Sequence, residues 1–210
     1  GWRSGRPIQH VLTIGDAPLV DTAVFVPPFG VSYISDLVWS SATNGAGPVE
    51  RDRSHGGAEA GDGAPLTLRG VTFAKGLGVL AGSDVRIAID GACTAFAARV
   101  GIDDEVQGGG SAYAGVLVDG RLVWASGRLN GALSPENVVV DLTGVSELAL
   151  VVVDGGDGSL HDHVDWADAR VRCDGADKPG APALVRTLTA GYAASLSWAP
   201  VAGASTYLLE

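Results

Sequence analysis

The chain has 210 residues, 24 of them acidic against 14 basic, for a formal charge of −10. A field of that sign repels phosphate backbones, and no Lys/Arg cluster interrupts it, which argues against a nucleic-acid partner. No apolar run approaches the ~20 residues a membrane span needs, so membrane insertion is not expected. The 31 glycines and 10 prolines, without collagen periodicity, suit one domain of short strands and tight turns with appendages.

Gly1-Trp2-Arg3-Ser4-Gly5-Arg6 reads as irregular, and the lack of an initiator methionine or leader suggests a mature or excised piece. Strand-like runs follow at residues 8–14 and 19–26, and Pro27-Pro28 ends the second because proline cannot donate to a ladder. Residues 1–30 are therefore an extension or the tail of a preceding module. Residues 33–39 read as a short strand. A polar excursion then occupies residues 40–64, with turn signals at Asn44-Gly45, Gly47-Pro48, Gly56-Gly57 and Asp62-Gly63. Such a length is rarely passive, and Trp39, Asn44, Glu50, Asp52 and His55 in and beside it point to function.

Short runs at 66–69 and 71–75 flank Gly70, and residues 76–80 follow. Residues 84–89 alternate, with Val85, Ile87 and Ile89 on one face and Asp84, Arg86 and Ala88 on the other. Asp90-Gly91 gives a type I′ hairpin signal into residues 93–102, and Asp103-Asp104-Glu105 caps that strand. Residues 112–118 and 121–126, joined by Asp119-Gly120, form a second such hairpin, in which Trp124 alternates with Leu122 toward the core. Strands at 138–142 and 147–153 complete the set before a glycine-rich acidic loop from Asp154. That loop carries His161, Asp162, His163 and Asp165 into an alternating run ending at Arg172.

No stretch keeps a 3.6-residue apolar period over ten positions. About ten short strands separated by turns predict an all-β chain, an antiparallel β-sandwich of jelly-roll-like form. Residues 175–183 read as a linker. Residues 184–210, around Ser195-Leu196-Ser197-Trp198, Pro200 and Tyr207, resemble the first strands of a fibronectin type III domain, and the terminal extensions are strand-forming.

Cys93 and Cys173 sit at strand ends, either as one disulfide of a secreted chain or as two buried thiols. Glu50 and Asp52, two apart on an extended segment, would point the same way, either toward sugar hydroxyls or into salt bridges with Arg51 and Arg53. Lys75 would donate to the same ligand or neutralise Asp104. His161 and His163 share a face if extended and could hold Zn²⁺ with Asp157 or Asp165. The oxygen-rich loop favours Ca²⁺ instead, through Asp154, Asp157 or Asp162 with backbone carbonyls. Trp166 and Trp39 read as packing groups, and no Gly-x-Ser-x-Gly elbow or reactive cysteine context marks an enzyme.

Several segments agree in order and spacing with one family: Tyr33-Ile34-Ser35-Asp36-Leu37, Ser41-Ala42-Thr43-Asn44-Gly45 and Gly47-Pro48-Val49-Glu50-Arg51-Asp52. Lys75-Gly76-Leu77-Gly78, Val100-Gly101-Ile102-Asp103-Asp104-Glu105, Asp119-Gly120, Asp162-His163 and Asp165-Trp166-Ala167-Asp168-Ala169 continue it. Residues 31–174 resemble the NPCBM-type domain, carbohydrate-binding module family 51. The resemblance implies a non-catalytic β-sandwich module of a secreted multidomain glycoside hydrolase or cell-surface protein, binding galactose-type glycans, often with structural calcium. It implies ligand contacts from Asn44, Glu50, Asp52, Lys75, Asp104, Glu105 and His163. The chain departs from the family pattern at Ala46, where a tryptophan is common, and at Leu80, where a histidine is common. The alternative is a structural subunit that has lost sugar binding and self-associates through its terminal strands.

Overall fold

The computed structural model describes residues 30–173 throughout and, outside them, the backbone of four strands. In chain order the first strands are β1 (Ile8–Val11), β2 (Val20–Ala23), β3 (Gly30–Tyr33), β4 (Ser41–Thr43), β5 (Glu50–Arg51), β6 (Thr67–Leu68) and β7 (Val71–Thr72). β8 (Gly76–Leu80), β9 (Ser83–Ala88), β10 (Ala95–Ile102), β11 (Ser111–Val118), β12 (Arg121–Ala125) and β13 (Leu129–Asn130) follow. β14 (Glu136–Asp141), β15 (Glu147–Asp154), β16 (His163–Cys173), β17 (Leu184–Leu188) and β18 (Ala194–Trp198) complete the series. The chain divides into two units, Pro27–Asp174 and a second made of Gly1–Val26 with Gly175–Glu210. In the second, β1 pairs with β2 and β17 with β18, each antiparallel. Beyond the backbone of β17 and β18, the fibronectin-like expectation falls outside the described residues.

The unit Pro27–Asp174 is an antiparallel β-sandwich. One sheet runs β14-β10-β16-β8-β5, with β3 also paired to β16, and the other runs β12-β11-β15-β9-β4, with β13 also paired to β11. Alternation builds the interior: along β9, Ser83, Val85 and Ile87 point inward while Asp84, Arg86 and Ala88 do not. Val85, Ile87, Phe96, Val100, Val116, Leu148, Leu150, Val164 and Trp166 from both sheets form one core. The Cys93–Cys173 disulfide, spanning 80 residues, ties the entry of β10 to the end of β16.

β16 organises its sheet. β10 lies along one edge for its whole length, while β8 pairs with His163 to Ala167 on the other and β3 with Arg170 to Cys173. The changeover is a bulge at Asp168, which has φ 53° and whose N–H donates to Lys75 O at 2.8 Å. Beneath it Asp165 is wholly buried on β16, with no hydrogen-bond partner for either oxygen among the described residues. Burial, then the carboxyl of Asp103 and the charge of Glu105, hold its carboxyl well above the usual carboxylate range. Asp103, 1% exposed, accepts from Thr67 N at 2.8 Å and Glu105 N at 2.7 Å, fixing the β6–β7 hairpin and the 3-10 turn Asp104–Val106.

Four expectations change. Residues 33–39 are not one strand, because β3 ends at Tyr33 and a 3-10 turn, Ile34–Asp36, follows. The Asp90-Gly91 turn forms, with both φ positive, but it carries the chain from one sheet to the other instead of closing a hairpin. The ladder preference of β9 for β15 and of β10 for β16 overrides the local turn signal. In the Asp119-Gly120 hairpin the register slips between Val116 and Leu117, so Trp124 faces inward, half-buried against Trp166, while Leu122 is turned out to solvent. The long excursion 40–64 is not free loop either, since β4 and β5 lie within it as edge strands of the two sheets.

Two predictions follow from this packing. An unfolded Asp165 ionises near its ordinary value while the folded one keeps its proton, so the native state binds the extra proton and stability falls as pH rises above about 4. Asp165→Asn removes that loss, and thermal melts should show the variant at or above wild type at pH 8, with the advantage vanishing toward pH 4; a variant melting below wild type at pH 8 contradicts the assignment. Replacing Cys93 and Cys173 by alanine should cost about 4–5 kcal/mol in urea titrations.

Candidate functional site

The excursion between β4 and β8 is bound down by close backbone approaches. Gly78, in the middle of β8, lies so tightly under Arg53, Ser54 and His55 that a Cβ there would collide with their backbone. Gly45 meets Ala81 in the same way. Asn44 completes the seam. Its Oδ1 accepts from Leu80 N at 2.8 Å, and its Nδ2 donates to Ala46 O and Pro48 O, both at 2.8 Å. These contacts set His55 beside the end of β8.

At that end β16 begins. His163 is paired in register with Leu80, and its ring stands edge-on to that of His55, centroids 4.7 Å apart with planes at 90°. His163 Nδ1 lies 2.7 Å from Glu105 Oε1, and Glu105 Oε2 accepts from Ser54 Oγ at 2.9 Å. Burial pushes the Glu105 carboxyl up, but the hydrogen bonds from His163 and Ser54 outweigh it and the net shift is downward. His55, 6% exposed, is pushed down by burial and then by the neighbouring His163, against the pull of Glu105 and Asp62. The result is a half-buried polar cluster of Asn44, Ser54, His55, Glu105 and His163, with Leu80 beside it.

The other predicted ligand residues do not join this cluster. Glu50 and Asp52 diverge because β5 ends at Arg51 and Asp52 adopts φ 60°, off the extended geometry that would have aligned them. Glu50 turns inward, 2% exposed, with Oε2 accepting from Gly61 N at 2.7 Å and Oε1 unpartnered among the described residues. Asp52 pairs with Lys75 at 2.7 Å, and the Lys75 ammonium also meets Asp36, which raises its pKa. Lys75 thus neutralises Asp36 and Asp52 and not Asp104. Arg51 does not pair with Glu50 or Asp52: it donates to Ser35 O and Leu37 O and stacks 3.5 Å over Trp39. Asp104 spends both oxygens on the turn at Arg69 and Gly70, accepting from their N–H groups at 2.9 and 2.6 Å. The lysine group sits at the Gly76 end of β8 and the histidine group at the Leu80 end, about 13 Å apart along the strand.

The metal expectations also meet the structure. Asp154 Oδ1 accepts from the N–H groups of Gly156, Asp157 and Gly158, closing its own loop. Asp157 pairs with Arg128 at 2.8 Å and accepts from Ser111 Oγ at 2.6 Å. Asp162 is buried, with Oδ1 accepting from Ser111 N at 2.7 Å and a carboxyl raised by burial. Among the described residues no three His, Cys, Asp or Glu side chains gather so as to hold a metal ion, while Asp162 Oδ2 is buried there without a partner and its carboxyl feels the charges of Asp154 and Asp157. The zinc pairing fails on backbone geometry, because His161 has φ 68° and is exposed on the loop while His163 is in the ladder.

His55 and Ser54 are the functional candidates that spacing alone did not assemble. His55 was legible as a histidine in an over-long loop, but nothing local places it against residue 163.

Comparison with known proteins agrees with this fold. Residues 30–172, more than half of the chain, match the NPCBM/NEW2 domain. A putative endo-alpha-N-acetylgalactosaminidase of Renibacterium salmoninarum is 38% identical over 157 residues, covering 73% of this chain and 10% of the relative. The chain thus spans about a tenth of that curated relative's length. Among solved structures, the CBM51 of Clostridium perfringens GH95 in complex with methyl-galactose superposes with TM-score 0.61 at 33% identity, covering 67% of this chain and 99% of the other. The CBM51-2 in complex with GlcNAc and INT domains of C. perfringens ZmpB superposes with TM-score 0.62 at 29% identity, covering 82% and 39%. The chain belongs to the NPCBM/NEW2 domain family.

Proposed function

We propose that the unit Pro27–Asp174 is a non-catalytic carbohydrate-binding module that takes galactose-type glycans at the Leu80–His163 end of β8 and β16, within a larger glycoside hydrolase. The observation that carries this reading is the preset histidine–carboxylate group, Glu105–His163 edge-on to His55. Its internal hydrogen bonds fix ring orientation before any ligand arrives. Preorganised polar groups of this kind suit sugar hydroxyls, which donate and accept hydrogen bonds alike. Support comes from the solved relative holding methyl-galactose and from the enzyme name carried by the Renibacterium relative. The disulfide supports a secreted or cell-surface setting, where such bonds persist. Ala46 and Leu80 remove side chains that would have added stacking area and a further hydrogen bond, so affinity rests on the histidine group.

Calorimetry with methyl-galactose checks the placement. His163→Ala should lower affinity at least tenfold while the variant still folds, with a lower melting temperature from the lost hydrogen bond to Glu105. Lys75→Met should bind as wild type and cost about 1 kcal/mol of stability, because its ion pairs are only partly buried. The reverse pattern, with Lys75→Met losing binding and His163→Ala retaining it, moves the site to the Asp36–Asp52–Lys75 group.

A further inference from the structure

The two histidines are held in opposite tautomers, and this follows from their partners. Glu105 is an ionised carboxylate, an acceptor only, so the His163 nitrogen 2.7 Å away must carry hydrogen. His163 Nδ1 is therefore the donor, and when the ring is neutral its Nε2 is a bare acceptor.

His55 is the opposite case. Its Nδ1 faces Asn44 Nδ2 at 3.3 Å. The orientation of that amide is not in doubt, because the oxygen side accepts from Leu80 N–H while the nitrogen side meets two carbonyl oxygens. An amide nitrogen offers no lone pair to a donor, so a hydrogen on His55 Nδ1 would point at another N–H group. His55 Nδ1 is accordingly bare and its hydrogen resides on Nε2. Burial is the largest influence against a second proton on this ring, while Glu105 and Asp62 pull the other way without prevailing. Among the described residues neither Nε2 meets a protein partner.

We propose that His55 and His163 form a matched donor–acceptor pair that reads one hydroxyl of the bound glycan, His55 Nε2–H donating to its oxygen and His163 Nε2 accepting its hydrogen. The proposal rests on the sugar-site reading above and deepens it. A hydroxyl is both donor and acceptor at one atom, which is what two adjacent rings of opposite tautomer require. A carboxylate would leave His163 Nε2 facing an acceptor and would sit beside ionised Glu105, and an ammonium would face the His55 donor. The pair therefore selects neutral sugars over uronic or sialic acids and over amino sugars with a free amine at that position.

The test uses the full chain, uniformly ¹⁵N-labelled, at neutral pH, with methyl-galactose and its mono-deoxy derivatives as probes. Long-range ¹H–¹⁵N spectra of the free protein should show hydrogen on Nε2 of His55 and on Nδ1 of His163. In calorimetry one deoxy position should cost wild type tenfold or more in affinity, since a site built to hydrogen-bond a hydroxyl rejects the analogue lacking it. In His55→Leu, with its melting temperature checked, that same position should become nearly silent. Binding by wild type together with a full deoxy penalty in His55→Leu overturns the pair while leaving the sugar site standing. The same holds for matching tautomers on the two rings. Failure of folded wild type to bind methyl-galactose and a panel of galactose-terminated glycans overturns the sugar reading and this one with it.

Discussion

The structure hangs on β16 being paired along both edges. Its eleven residues are fixed by β10 on one side and by β8, then β3, on the other, so a one-residue slip would turn every inward side chain outward. That register sets four things at once: Trp166 in the core, Asp165 beneath the 3-10 turn at Asp104–Val106, Cys173 against Cys93, and His163 opposite Leu80 at the open end. Burying Asp165 is costly for a charged carboxyl, and the strand tolerates it by keeping the proton on. Asp103 then remains free to hold Thr67 and Glu105 by their backbone N–H groups. Asp103 thus lies between the buried carboxyl of Asp165, which its own carboxyl influences, and Glu105, whose side chain meets His163.

The second requirement is that the long segment between β4 and β8 lies flat on the sandwich. Gly45 and Gly78 have no side chain to hold it off, and Asn44 fastens it to Leu80. The segment consequently delivers His55 and Ser54 to a place set by β16 and not by their own neighbours in sequence. At the far end of β8, Lys75 gathers Asp36 and Asp52 into an ion-pair group on the 3-10 turn after β3, where Arg51 clamps the chain over Trp39. That end carries charge, but its charges are already spent on one another.

Much of the architecture is legible before the structure is known. Alternation in residues 84–89 and the turn chemistry of Asp119-Gly120 are local signals, and both hold because the period-2 rule and positive-φ preferences act within a few residues. Asp90-Gly91 shows the limit, since the same turn chemistry serves a chain that changes sheets. The site is half legible. His163, Glu105 and Asn44 do come together, because they lie on strands or turns whose ends meet. Glu50, Asp52, Lys75 and Asp104 look equivalent in sequence, yet a left-handed residue at Asp52 and the hydrogen-bonding demands of the turn at Arg69 and Gly70 disperse them. No spacing rule encodes these long-range choices.

The most direct measurement is the amide chemical-shift map of the ¹⁵N-labelled chain titrated with methyl-galactose. Shifts concentrated on Asn44, Ser54, His55, Leu80, Glu105 and His163, with Asp36, Asp52 and Lys75 unmoved, are the predicted result. Saturable shifts centred on Lys75 and Asp52, or on the outer face of the β11–β15 sheet, would contradict it.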